Sequence, residues 1–163
     1  MVKIILFSSL FMKMHAQDFL DQRVLDYGNF TPFYENGNLI DAINEIVEIM
    51  RYSIHHRPLS IYFEFRKKAP PLKFDKRRLQ QVLMNLLSNA CKFTNTGVIE
   101  VFPLLNIRDP ESGAVLIEVS VKDEGIGIAA SDLKEIFKPF RMQNKRGVKG
   151  NGVGLSISKQ ICE

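Results

Sequence analysis

The stretch from Leu79 to Thr94, LQQVLMNLLSNACKFT, constrains this chain more than any other. Leu79, Val82, Leu83, Leu86, Leu87 and Ala90 recur at three- and four-residue steps and form the apolar stripe of an amphipathic helix. The opposite face is the unusual one. Arg78, Gln81, Asn85, Asn89 and Lys92 also step by threes and fours, so two carboxamides and an ammonium project from successive turns in one direction. Asparagine costs up to about 0.7 kcal/mol against alanine in a helix, and a merely solvated face would more cheaply carry Glu, Lys or Gln. On this helix alone, a solvated face and a ligand site stand level; two glycine-rich stretches farther on favour the ligand.

The 163 residues are 45% hydrophobic and 25% charged, with 12 Phe and no Trp, which is enough for one sizeable core. One domain with an appended helix is expected. The net charge of +4 suits an anionic ligand and falls short of a nucleic-acid footprint. A basic nucleic-acid binder would use Arg66, Lys67, Lys68, Lys76, Arg77 and Arg78, but these lie at element ends without aromatic residues suited to base stacking. Cys91 and Cys162 form no Cys-x-x-Cys pair and have no His at metal spacing, so neither a disulfide framework nor a zinc site is expected, and a reducing compartment is the default.

Ile4 to Met12 is an apolar run behind Lys3 that must be weighed as a signal peptide. Ser8 and Ser9 break it, helix-compatible sequence continues through Leu25, and it is too short to span a bilayer. A helix running to about Tyr27 and ended by Gly28 is favoured. Asn29 to Gly37 reads as a linker, and Asn38 caps a second helix with a core face of Ile43, Ile46, Val47, Met50 and Ile54. His55 and His56 at its C-terminal end favour the helix dipole rather than a ligand. Leu59 to Arg66 alternates as a half-buried strand closed by Pro70 and Pro71.

After the organising helix, Asn95-Thr96-Gly97 turns the chain into a strand around Val98 to Phe102, and a second turn falls at Arg108 to Gly113. Val115, Ile117, Val119 and Val121 then share one strand face, and the next residue on that face is Asp123. A carboxylate continuing a buried valine face needs a donor, either a backbone amide or a ligand amine, because unpaired burial costs several kcal/mol. Gly125 and Gly127 follow where the chain turns tightly or lets a ligand approach. Ser131 starts a short helix stopped by Pro139, with Phe137 and Phe140 as packing. Arg141 to Lys149 carries four cations and reads as a lid; Gly150, Gly152 and Gly154 then open a helix from Leu155, where freed amides and the helix dipole favour phosphate. Neither a Walker-type loop nor a dinucleotide fingerprint is present.

The order of these motifs, helix with Asn85, Asn89 and Lys92, then DEGIG, IFKPF and GNGVGL, resembles the ATP-binding catalytic domain of sensor histidine kinases with its N, G1, F and G2 boxes. The match covers Arg78 to Ser158. The resemblance implies an α+β, two-layer α/β sandwich of the Bergerat type, a mixed sheet packed on helices with ATP between the helix layer and the lid. It implies residues 1–30 as a remnant of the dimerisation and phosphoacceptor hairpin and 31–163 as the catalytic domain, incomplete at its C-terminus.

Carried over residue by residue, the resemblance gives Asn85 and Asn89 the Mg2+ on the ATP phosphates, Lys92 a phosphate, and Phe93 the nucleotide. Asp123 would accept the adenine amino group, Gly125 and Gly127 would let adenine approach, and Gly150, Gly152, Gly154 and Leu155 would shape the lid end. Asn85 stands where gyrase-type ATPases carry a water-activating glutamate, and an amide takes no proton at neutral pH, so hydrolysis should be slow and the phosphoryl group kept for a side-chain acceptor. None of His15, His55 and His56 fits the family's His-x-x-x-x-Pro acceptor motif, so the accepting histidine is expected outside this chain, on a phosphoacceptor domain, with a response-regulator receiver as downstream partner and no nucleic acid. A cytoplasmic location goes with this. The competing expectation is a catalytically incompetent, pseudokinase-type nucleotide-binding module.

Overall fold

The computed structural model describes residues 31–63, 65, 71–109, 114–139 and 152–163, together with Ser9, Met12, Lys13, Ala16, Gln17 and Leu20. These six early positions are helical, as the N-terminal run requires; the remainder of the expected first helix, the cationic stretch 141–149, Phe140 and Gly150 lie outside the described residues. Among the described residues no helix is long and apolar enough to cross a membrane.

The elements run β1 (Glu35–Gly37), α1 (Leu39–Ser53), β2 (Leu59–Phe63), β3 (Leu72–Phe74), α2 (Lys76–Phe93), β4 (Gly97–Asp109), β5 (Ala114–Lys122) and α3 (Gly154–Cys162). In the three-stranded sheet β2 pairs parallel with β4, and β4 pairs antiparallel with β5, so the sheet is mixed, as expected. The parallel pair Leu59↔Gly97 to Phe63↔Val101 demands a crossover, and α2 supplies it. Leu39, Ile43, Val47 and Met50 of α1 and Leu83, Leu87 and Ala90 of α2 meet Leu59, Ile61, Ile99 and Val101 of the sheet in one core. Burial of these side chains contributes on the order of 1.5–3 kcal/mol each.

Caps fix the helix ends. Asn38 Oδ1 accepts the Ile40 and Asp41 amides at 2.9 and 3.4 Å, as its position before α1 predicts. Asp75 caps α2 by accepting the Arg78 amide at 2.9 Å, while its other oxygen accepts the Phe33 amide at 2.8 Å. Lys76 and Gln80 of α2 both reach Glu45 of α1 at 2.8 Å.

The structure corrects several expectations. The 29–37 linker contains a strand, β1, which pairs antiparallel with β3 just after the prolines; three-residue strands are too short to show alternation. Of the strand expected over 59–66, Leu59–Phe63 is a strand, Phe65 is not, and Glu64 and Arg66 lie outside the described residues; that expected over 98–102 runs to Asp109. Arg78 and Gln81, placed on the polar face of the organising helix, are buried and bonded to each other at 2.8 Å. Residues 130–137 form successive turns rather than a helix, and Phe137, read as packing, is 45% exposed.

Candidate functional site

The last turns of α2 carry the side chains that the sequence singled out. Asn85, Asn89, Lys92 and Phe93 are all half-buried on this helix. The Asn89 amide donates to Asn85 Oδ1 at 3.4 Å, and the Asn85 amide donates to Ser158 Oγ of α3 at 2.8 Å. Gly154, at the start of α3, lies so close that any β-carbon there would collide with Asn85 Oδ1. Helix α3 therefore rests its first turns on the carboxamides of α2. The Lys92 ammonium lies 5.2 Å from the Phe93 ring centroid, and partial burial holds its pKa below the usual lysine value. Near an anion that desolvation cost is recovered.

A second cluster forms where α2 ends against the turn after β5. Asp123 is exposed, not buried as the valine alternation suggested, because β5 stops at Lys122 and the chain leaves the sheet. Of the two donors expected for it, a backbone amide is present: Oδ1 accepts the Gly125 amide at 2.8 Å and the hydroxyl of fully buried Thr94 at 3.2 Å. Among the described residues Oδ2 takes no hydrogen bond. The Ile126 amide donates to the Phe93 carbonyl at 3.3 Å, which stitches this turn onto the helix end. A β-carbon on Gly125 would stand 2.5 Å from Asp123 Oδ1 and 2.7 Å from the Phe93 carbonyl oxygen, so close approach requires glycine. Gly127 has open space around it and needs glycine for its φ of +68°.

Thus Asn85, Asn89 and Gly154 come together, as do Phe93, Asp123 and Gly125, with Lys92 on the helix joining them. Gly152 (φ +67°) and half-buried Leu155 flank the start of α3. Three residues escaped the sequence reading. Ser158 is one of two serines on α3 with nothing local to single it out, and Thr94 closes the organising stretch without marking itself. Arg57, between α1 and β2, donates to the Cys91 and Thr94 carbonyls at 2.7 Å each, satisfying the C-terminal carbonyls of α2. Its only sequence signal is a cation beside Pro58.

The profile described as "Histidine kinase-, DNA gyrase B-, and HSP90-like ATPase" matches residues 74–163, which include both clusters. The chain is 36% identical over 152 residues to "Hybrid signal transduction protein dokA" of Dictyostelium discoideum, an alignment covering 88% of this chain and 9% of that protein. It is 36% identical over 153 residues to "Autoinducer 2 sensor kinase/phosphatase LuxQ" of Vibrio vulnificus, covering 90% of this chain and 17% of that one. Among solved structures, the catalytic domain of histidine kinase ThkA superposes with a TM-score of 0.65 at 26% identity, over 79% of each chain. The chain belongs to the histidine kinase-, DNA gyrase B- and HSP90-like ATPase family, as an ATP-binding catalytic core of the histidine kinase kind.

Proposed function

We propose that this chain binds ATP with magnesium at the C-terminal half of α2 and donates the γ-phosphoryl group to a histidine outside these residues, in two-component phosphorelay signalling. The observation that carries it is the arrangement of α2, whose last turns touch both α3, through Asn85, and the turn after β5, through Phe93 and Thr94. One helix thereby offers groups for phosphates at one end and for a base at the other.

Asn85 and Asn89 bring neutral carboxamide oxygens, the hard donor type that magnesium takes while keeping water and phosphate in its remaining positions, so the residues present fit that ion. When bound, magnesium draws negative charge from the phosphate oxygens. Lys92 faces a phosphate and adds a cation; Phe93 lies against the nucleotide. Asp123 accepts the adenine amino group through Oδ2, since Oδ1 is already committed to Gly125 and Thr94. Gly125 and Gly127 leave the base room, and Gly152, Gly154 and Leu155 bound the phosphate end; Gly150, expected with them, lies outside the described residues.

Transfer breaks the bond between the γ-phosphorus and the β–γ bridging oxygen and forms one to a neutral imidazole nitrogen; ADP leaves with the bonding pair. Asn85 cannot accept a proton from water, so hydrolysis stays slow, and catalysis rests on positioning and charge stabilisation. The relatives named above are far longer than this chain, which spans 9% and 17% of their length, and "hybrid signal transduction" in one name supports a phosphoacceptor domain and a receiver domain as partners. ATP as substrate goes with a cytosolic location.

Calorimetric titration of the folded chain with ATP, with and without magnesium, and with GTP as control, tests the site. Adenine-selective, magnesium-dependent binding is expected; a folded sample that binds neither nucleotide would overturn the proposal.

A further inference from the structure

The geometry points to Ser158 as a positioning residue for Asn85, one that, together with Asn89, holds the carboxamide in place beside the phosphate site; this rests on the nucleotide reading given above. A primary amide has two nearly isosteric ends, and only the carbonyl oxygen can serve a cation. A hydroxyl donates as readily as it accepts, so Ser158 fixes where the carboxamide lies, and the Asn89 amide, donating to Oδ1, completes its orientation. Ser158 is a buried polar residue, 7% exposed, and its hydroxyl oxygen accepts the Asn85 amide at 2.8 Å. Oδ1 lies the other way, towards Gly154 and the Asn89 amide, 3.4 Å away. The three side chains form a directed series, Asn89 to Asn85 to Ser158, in which each amide donates onward and Asn85 Oδ1 remains on the side of the glycine-bounded opening of α3.

Two features make the hydroxyl more than packing. Ser158 follows Gly154 by one helical turn, so the turn that comes close to Asn85 also presents the acceptor, and both contacts depend on the same seating of α3. The neighbouring buried residue of α3, Ile157, is apolar and holds the helix without any polar bond. An alanine at 158 would keep that apolar anchor and the helical propensity while removing the acceptor alone. The Asn85 amide would then be free to rotate, and the cation-facing oxygen would be presented only part of the time.

The test compares Ser158→Ala and Ser158→Thr with the wild-type chain, each checked for fold by circular dichroism. ATP affinity is measured with and without magnesium, and the Asn85 side-chain amide is followed by 15N NMR in the ligand-free chain. Expected for Ser158→Ala is a shift of the Asn85 amide resonances and a five- to tenfold loss of the magnesium-dependent gain in affinity, with magnesium-free ATP affinity unchanged. Ser158→Thr, which keeps the hydroxyl, should restore both. A packing role would instead weaken magnesium-free and magnesium-bound affinity together, and that result overturns the inference, as does an unmoved Asn85 amide. Absence of magnesium-dependent ATP binding in the wild type, with the Asn85 resonances still shifted by Ser158→Ala, would overturn the nucleotide reading and the metal-facing role with it, leaving only the hydrogen bond.

Discussion

Replacing Gly125 by alanine should damage adenine binding far more than it damages the fold. The added carbon would sit 2.5 Å from Asp123 Oδ1, 2.7 Å from the Phe93 carbonyl oxygen and 3.0 Å from the Phe93 carbonyl carbon. Asp123 can swing aside, but only by abandoning the Gly125 amide and the Thr94 hydroxyl. The Phe93 carbonyl has little freedom to retreat, because Arg57 holds the Cys91 carbonyl two residues before it and the Thr94 carbonyl just after it, at 2.7 Å each. The turn must therefore move. Overpacking costs about 1–3 kcal/mol, and one lost hydrogen bond adds about 1 kcal/mol. The sum, roughly 2–4 kcal/mol, corresponds to a thirtyfold to thousandfold loss of ATP affinity if it falls on the turn. To the extent that the turn relaxes away from the clash, the cost is met on binding rather than on folding, so the melting temperature should fall by less than the roughly 4–16 °C that the same cost borne by the whole fold would give. Calorimetric titration and a thermal melt on the same sample separate the two effects. Gly127→Ala is the internal comparison: it meets nothing within 4 Å and suffers only its positive φ, about 1–2 kcal/mol, much of which Gly127→Asn should recover. ATP affinity unchanged in Gly125→Ala, or lowered less than in Gly127→Ala, would refute the steric account.

Arg57→Ala removes two charge-assisted bonds to the end of α2 and should cost about 2–3 kcal/mol, seen as a melting temperature lower by roughly 5–10 °C; Arg57→Lys should recover less than half, because an ammonium cannot fork across two carbonyls. Burial lowers the Lys92 pKa in the ligand-free chain, so between that value and the usual 10.5 the folded state holds fewer protons than the unfolded one, and this group's contribution to stability rises with pH. A bound phosphate prefers the ammonium, so ATP affinity should fall as pH rises through the lowered pKa; titrations from neutral to alkaline pH should show that limb, and Lys92→Arg should abolish it. Burial pushes the Cys91 thiol up to about 11, whereas Cys162 is exposed and only raised. A thiol reagent at pH 8 should therefore modify Cys162 in the native chain and reach Cys91 only on unfolding, as mass spectrometry of the labelled protein would show.

The core of the fold was legible because its elements are long. The Leu83, Leu87 and Ala90 stripe and the Ile43, Ile46, Val47 and Met50 stripe repeat over several turns, and both face the core as expected. What the periodicity missed was cover from a distance. A polar helical face looks the same whether water or another part of the chain lies against it, so the burial of Arg78 and Gln81 and the contact of Asn85 with Ser158 left no local trace. Asp123 shows the opposite error. Its parity with the valines was right, but alternation carries no signal for where a strand leaves the sheet, and the carboxylate ends exposed with a backbone donor. The sequence gives Gly125 a tight turn or a ligand's approach and Gly154 a helix start, whereas the groups that lie against them, the Phe93 carbonyl and the Asn85 oxygen, are set by tertiary structure.

The parallel pairing of β2 with β4 has a kinetic consequence. Antiparallel neighbours such as β4 and β5 can zip from their turn, but β2 meets β4 only after a loop of roughly forty residues, containing α2, has closed. The hydrogen bonds from Arg57, just before β2, to the end of α2 span the same loop. Asn85, Lys92 and Phe93 can form their helix early, yet they gain a fixed orientation against the turn after β5 only once that closure has occurred. During refolding, recovery of nucleotide affinity should then act as a clock for the slowest topological step, trailing the return of helical signal and coinciding with the return of parallel strand pairing.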